Sequence, residues 1–219
     1  AISRWIFGDS IWTIRIWPLV AGTGFVLMGR ALARRVFAPD AADLAGILLL
    51  LMPGFTGNGL LMTPDVLFAL TWAGAIFLAW KAQALPSSKW CFWALAGGVA
   101  GLGFLAKYNM VLFFVGMGVF WAISPGRRRD IFTGTLVSGG VAFLVFLPVV
   151  IWNYQHDWAS FRFQMGHGFK NDGAFWMTLL MYAGGLLLVS TPVVGLQSFH
   201  AAARGLKSIQ WDRRFLAIF

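Results

Sequence analysis

Apolar residues in this chain come in unbroken runs, and short polar or basic clusters divide the runs. Runs of about 18 apolar residues read as membrane-crossing helices. Seven stretches of this kind are marked out: Trp12–Gly29, Ala41–Phe55, Val66–Trp80, Trp90–Ala106, Met110–Ile123, Ile131–Trp152 and Phe175–Leu196. The dividers are Arg30, Arg34 and Arg35, then a turn rich in Gly and Asn over Thr56–Pro64, then Lys81 and Lys89. Further on come Lys107-Tyr108-Asn109, and Pro125-Gly126 followed by Arg127, Arg128 and Arg129. Alternation with a period of two, the mark of a β-barrel, is missing. The pattern predicts an all-α polytopic transmembrane bundle of about seven spans, forming a single domain over residues 1–219.

The longest polar interruption is Asn153–Asp172, NYQHDWASFRFQMGHGFKND, which holds His156, Asp157, Arg162, His167, Lys170 and Asp172. On a membrane protein, such a segment can support chemistry or recognition in water at the bilayer surface.

Composition agrees with the pattern. The chain is 59% hydrophobic and 11% charged, against about 25% charged in soluble domains. A net charge of +9 raises the question of nucleic acid, and the placement of the cations answers it. If each span crosses once, one side collects Arg30, Arg34, Arg35, Lys81, Lys89, Arg127–Arg129, Arg204, Lys207, Arg213 and Arg214. That is twelve of the 17 basic residues; Arg4, Arg15, Lys107, Arg162 and Lys170 remain for the other side. This asymmetry is the positive-inside pattern, so the first side is expected to be cytoplasmic and no nucleic-acid partner is implied. The Arg127–Arg129 run reads as a topology anchor near anionic lipid headgroups. The single cysteine, Cys91, excludes an intrachain disulfide and a cysteine-rich metal site.

The same alternation puts Asp65, Lys107 and the polar segment on one outer side. Asp65 follows Pro64 at the mouth of the third expected span. Proline suits a first helical turn, and an acid there is stabilised by the helix dipole. Asp65 is thus either a helix-capping acid or a carboxylate facing an outer cavity as base, cation ligand or hydrogen-bond acceptor. Lys107, between two apolar runs, is either a snorkelling lysine or a cation awaiting a phosphate. Arg15 lies within the outer part of the first span, where it needs a partner, either a phosphate or an acid such as Asp9. His156, with Asp157 and Trp158, is a structural histidine or a ligand; with Asp65 it could hold a divalent metal ion. Trp152, Trp158, Phe161 and Phe163 form an interfacial aromatic belt or a stacking surface for a sugar. Gly97, Gly98, Gly101 and Gly103 lie inside a span, where small residues permit close helix packing rather than phosphate binding.

Several segments, in order, resemble one family. They are Phe7-Gly8-Asp9-Ser10 through Arg15, then Pro53-Gly54-Phe55 with Thr63-Pro64-Asp65, then Gly101–Tyr108, then Asn153–Phe161. Together they resemble the dolichyl-phosphate-mannose–protein mannosyltransferase-like group, which includes bacterial transferases modifying lipid A or lipopolysaccharide core. The resemblance implies a GT-C type membrane fold and a sugar donor carried on a polyprenyl phosphate. It implies inverting transfer to a lipid, saccharide or protein acceptor at the periplasmic face of the bacterial inner membrane. Lys107 and Arg15 would serve the phosphate side. Asp65 would be the supporting acid of the second outer loop, and His156, Asp157 and Trp158 would contact substrate or, for His156, metal. The main catalytic acid of the family lies in a first outer loop ahead of the Phe-Gly-x-Ser stretch, so the main base is expected upstream of Ala1. The chain therefore reads as an internal piece lacking that first helix, that loop and a C-terminal part, and inactive by itself. A competing reading is a transporter or lipid flippase with Asp65, Lys107 and Arg15 along its route. Such proteins often carry internal repeats, and none is evident here.

Overall fold

The computed structural model describes residues 2–52, 57, 63–168, 175–190 and 192–219. Among the described residues all regular structure is helical. The helices are α1 (Ile2–Phe7), α2 (Trp12–Val36), α3 (Pro39–Leu51), α4 (Pro64–Ala84), α5 (Lys89–Ala106) and α6 (Val111–Ile123). They continue with α7 (Arg128–Gln155), α8 (Ala159–Gly168), α9 (Phe175–Ser190), α10 (Pro192–Leu206) and α11 (Trp211–Ile218). The all-α membrane bundle expected from the pattern is what the chain forms.

The number of spans is corrected. Four helical stretches among the described residues are long and apolar enough to cross a bilayer: Trp12–Val36, Pro64–Ala84, Pro86–Ala106 and Pro125–Gln155. The expected spans at Ala41–Phe55 and Met110–Ile123 form helices of 13 residues each, while the expected span Phe175–Leu196 lies only partly within the described residues. At a rise of 1.5 Å per residue the two 13-residue helices reach only about 20 Å, short of the ~30 Å hydrocarbon core. Yet α3 runs back along α2 and α6 back along α7, so successive helix ends still alternate. Apolarity alone did not set these helix ends. Pro64, Pro86 and Pro125 open the helical segments that follow them, and extended backbone at Lys107 separates α5 from α6.

The centre of the bundle is α4, α5 and α7, with α2 packed on α4, α3 on α2, and α6 on α7. Small residues let the central helices meet. A Cβ at Gly97 on α5 would collide with the Ser138 backbone of α7, and one at Gly134 would collide with the Trp93 indole. The fully buried Ser138 hydroxyl donates to the Trp93 carbonyl at 2.7 Å. Trp93, Met110, Phe113, Met117, Phe120, Ile131 and Phe215 fill the core. Residues that face lipid are correspondingly exposed, such as Leu102, Leu136 and Leu144.

The cations gather at one end and tie helix ends together. Arg30 and Arg34 of α2 reach Asp43 of α3 at 2.7 and 3.2 Å. Lys89 pairs with Asp130 at 2.9 Å, and Arg127 donates to the Gln83 carbonyl at 3.3 Å. Arg214 donates to the Ile123 carbonyl at 2.9 Å, while Arg127 sits 4.3 Å over the Trp211 ring.

Candidate functional site

The opposite end gathers the N-terminus of α4, the break between α5 and α6, and the C-terminus of α7. Asp65 stands in the first turn of α4, opened by Pro64. Lys107 has left the helix, with φ −152° and ψ 135°, and a short 3₁₀ turn over Tyr108–Met110 follows it. This break swings Lys107 across to α4, where its ammonium donates to the Asp65 carboxylate. The two side chains are 39% and 44% exposed, so the pair sits at a wet rim and not in the core. The convergence expected from the alternation of spans is therefore a direct contact.

Beside it lies a cavity of about 570 Å³, lined by Lys107, Tyr108, Asn109, Ser160, Phe163 and Gln164 among others. The turn after α7 places α8 on its far side. The Asn153 carbonyl accepts from the backbone N–H of His156 and of Trp158, at 3.1 and 2.7 Å. Asp157 and Trp158 both take left-handed backbone, with φ of 51° and 58°. This tight turn leads into α8, which carries Ser160, Phe163 and Gln164 to the cavity. The Tyr108 ring stacks on Phe161 at 5.0 Å and meets Phe146 edge-on at 5.7 Å.

The remaining expected residues are placed apart from the Asp65–Lys107 pair. His156 is exposed, stacks on the Trp152 ring at 4.3 Å, and its Nδ1 lies 2.8 Å from the Trp152 carbonyl oxygen. A carbonyl only accepts, so Nδ1 donates and Nε2 is the nitrogen left over. Asp65 and His156 thus have different partners. Among the described residues no group of three or more His, Cys, Asp or Glu side chains is placed to hold a metal ion. Trp158 contacts Phe161 and Tyr154 in an aromatic cluster. Arg15 is exposed on α2. Its suggested acid, Asp9, pairs with Arg4 instead, because the short α1 brings Arg4 back onto the turn before α2. Gly24 abuts Leu70 and Gly74 abuts Met28, so α2 and α4 run parallel. Extending that register sets Arg15 about one turn beyond the level of Asp65, at the same end.

Some expectations fall outside the described residues. Ala1 is one of these residues, and the main base expected upstream of Ala1 likewise lies outside them. Among the described residues, Asp65 is the carboxylate paired with Lys107 of the cavity lining. Pro53–Phe55, most of the expected turn over Thr56–Pro64, the side chain of His167, Lys170 and Asp172 also lie outside the described residues.

Three residues of the site, Tyr108, Asn153 and Ser160, lie in the segments that carry the family resemblance, but sequence alone assigns none of them a role of its own. One signal was available, an amide at the close of a long apolar helix, since Asn153 is fully buried and buried amides need partners. The larger cavity, about 950 Å³ between α10, α11 and Phe37, is at the arginine-rich end, away from this constellation.

Residues 1–152 match the family described as Dolichyl-phosphate-mannose-protein mannosyltransferase. The chain belongs to this family. The match takes in Asp65, Lys107 and Tyr108 and stops one residue short of Asn153. Among curated relatives, the undecaprenyl phosphate-alpha-4-amino-4-deoxy-L-arabinose arabinosyl transferase of Edwardsiella ictaluri is 27% identical over 199 residues, covering 85% of this chain and 36% of the relative. The lipid A galacturonosyltransferase RgtD of Rhizobium johnstonii is 28% identical over 157 residues, covering 70% of this chain and 32% of the relative. The chain thus spans about a third of the length of the curated relatives it matches. No solved structure matches.

Proposed function

We propose that this chain is part of a membrane glycosyltransferase that moves a monosaccharide from a polyprenyl-phosphate carrier to an acceptor, with inversion, at the periplasmic face of a bacterial inner membrane. The observation that carries the reading is the Asp65–Lys107 pair at the rim of the Tyr108–Ser160 cavity. An ammonium group has three N–H donors and Asp65 takes one. The other two are free for phosphate oxygens. As the bond from the anomeric carbon to the carrier oxygen breaks, negative charge grows on the departing lipid phosphate. A cation already aimed at that position lowers the barrier without reorganising. Asp65 supports the site by holding Lys107 there, and Arg15, about a turn further out, supplies a second positive charge for the lipid phosphate.

The relatives support the class of partners: one name carries an undecaprenyl-phosphate sugar and the other carries lipid A. A lipid A-type acceptor is the reading we favour over protein. The candidate polar side chains gather at one end of the bundle, which favours chemistry at a surface over a transport route through the membrane.

The test is affinity for undecaprenyl phosphate, measured on the complete protein in lipid nanodiscs. Lys107→Ala should weaken binding about tenfold, the loss of ~1.4 kcal/mol expected of one charge-assisted contact. Unchanged affinity would return Lys107 to a merely structural role.

A further inference from the structure

The proton positions around Tyr108 follow from its neighbours. The Asn153 side chain donates from Nδ2 to the Val149 carbonyl at 2.9 Å, which fixes the orientation of the amide. Its Oδ1 then faces Ser160 and accepts twice, from the Ser160 backbone N–H at 3.1 Å and from the Ser160 hydroxyl at 2.6 Å. A serine hydroxyl has one hydrogen, and Asn153 holds it. In the 2.9 Å contact between the Tyr108 and Ser160 hydroxyls, Tyr108 must therefore be the donor. The phenol hydrogen is committed as well, and the Tyr108 oxygen is left with lone pairs only. Donating along such a chain polarises the oxygen and makes it a better acceptor.

The oxygen is also fixed in space. Phe161 covers one face of the ring and Phe146 bounds it edge-on, while the buried Asn153 anchors the hydroxyl end. Tyr108 and Ser160 both line the 570 Å³ cavity. An oxygen that offers only lone pairs repels a phosphate, which is likewise an acceptor, and attracts an O–H or N–H group. Lys107, one residue earlier, offers the reverse: positive charge and N–H donors. Consecutive residues at one cavity thus suit the two halves of a glycosyl phosphate, an anionic phosphate next to a ring bearing hydroxyl or amino groups.

We propose that Tyr108, oriented by Ser160 and Asn153, reads the sugar of the lipid-linked donor. Its phenol oxygen accepts a hydrogen bond from a hydroxyl or ammonium group of that sugar while Lys107 takes the phosphate. This rests on the glycosyltransferase reading above.

The experiment compares three lipids on the complete protein in nanodiscs: undecaprenyl phosphate, and the same lipid bearing either 4-amino-4-deoxy-L-arabinose or galacturonic acid. Wild-type protein should bind at least one sugar-bearing lipid more tightly than the bare lipid phosphate. Tyr108→Phe, which keeps the ring and its stacking, should reduce that preference about fivefold, as expected for one lost hydrogen bond, and leave the affinity for bare undecaprenyl phosphate unchanged. The unchanged bare-lipid affinity also reports that the variant is folded. Ser160→Ala should shift the preference in the same direction. Either a wild-type protein without any preference for the sugar-bearing lipids, or a Tyr108→Phe variant that keeps the preference, overturns the proposal. Equal weakening for all three lipids overturns it too, and assigns Tyr108 to the phosphate end. Binding of none of the three is a different result and removes the glycosyltransferase reading itself.

Discussion

Lys107 and Asp65 stand 42 positions apart in the sequence and meet as an ion pair at the rim of the bundle, because α5 breaks at Lys107 next to the first turn of α4. Each side chain keeps roughly two-fifths of its surface exposed. An exposed pair of this kind contributes about 0–1 kcal/mol to stability. Asp65→Asn should therefore leave expression and thermal midpoint within a degree or two of wild type, checked by thermal-shift measurement in detergent. A collapse in the midpoint would show that the pair is a structural staple.

The contact between α5 and α7 makes the opposite prediction. Gly134 faces the Trp93 indole with no room for a methyl group, and Trp93 is 1% exposed. Gly134→Ala should cost about 1–3 kcal/mol through overpacking and lower the thermal midpoint by several degrees, with transfer lost only as folded protein is lost. Gly98→Ala, where a Cβ meets nothing within 4 Å, is the matched control and should be neutral.

Asp157 tests the turn between α7 and α8. Left-handed backbone costs an L-residue about 1–2 kcal/mol, and glycine escapes that cost. Asp157→Gly should be neutral or stabilising by up to ~1 kcal/mol, and Asp157→Val should destabilise by about as much. Retained lipid-donor affinity in Asp157→Gly would show that this residue serves the turn and not the substrate.

Orientation is open to labelling. With Cys91, which is exposed, first changed to Ser, a cysteine introduced at Gln164 should react with a membrane-impermeant maleimide in intact spheroplasts. One introduced at Arg129 should react only after permeabilisation. The reverse labelling would turn the bundle over and put the cavity on the cytoplasmic side.

Much of this arrangement was legible from the order of residues. Apolar runs and the one-sided placement of arginines point to a helical membrane bundle, and counting spans brings Asp65 and Lys107 to the same side. Even so, the count ran high: an apolar run such as Ala41–Phe55 shows where residues avoid water, while the helix it forms is only 13 residues long. Partner choice was equally hidden. Asp9 was available to Arg15 by spacing, yet the short α1 returns Arg4 to it. Tyr108 and Ser160 are 52 positions apart, and no local pattern signals that a buried Asn153 joins them. Hydrogen-bond chains between distant helices depend on packing geometry, which composition and periodicity do not carry.

The most direct measurement is transfer itself. The complete protein, in nanodiscs with lipid A, would be given undecaprenyl phosphate bearing a radiolabelled sugar, and wild type compared with Asp65→Asn and Lys107→Ala. The account predicts label moving to lipid A in the wild type. It predicts at least a hundredfold slower transfer in both variants at normal expression, a loss of about 2.7 kcal/mol in transition-state stabilisation. Wild-type turnover in both variants would contradict it, and would take the Asp65–Lys107 pair out of the chemistry.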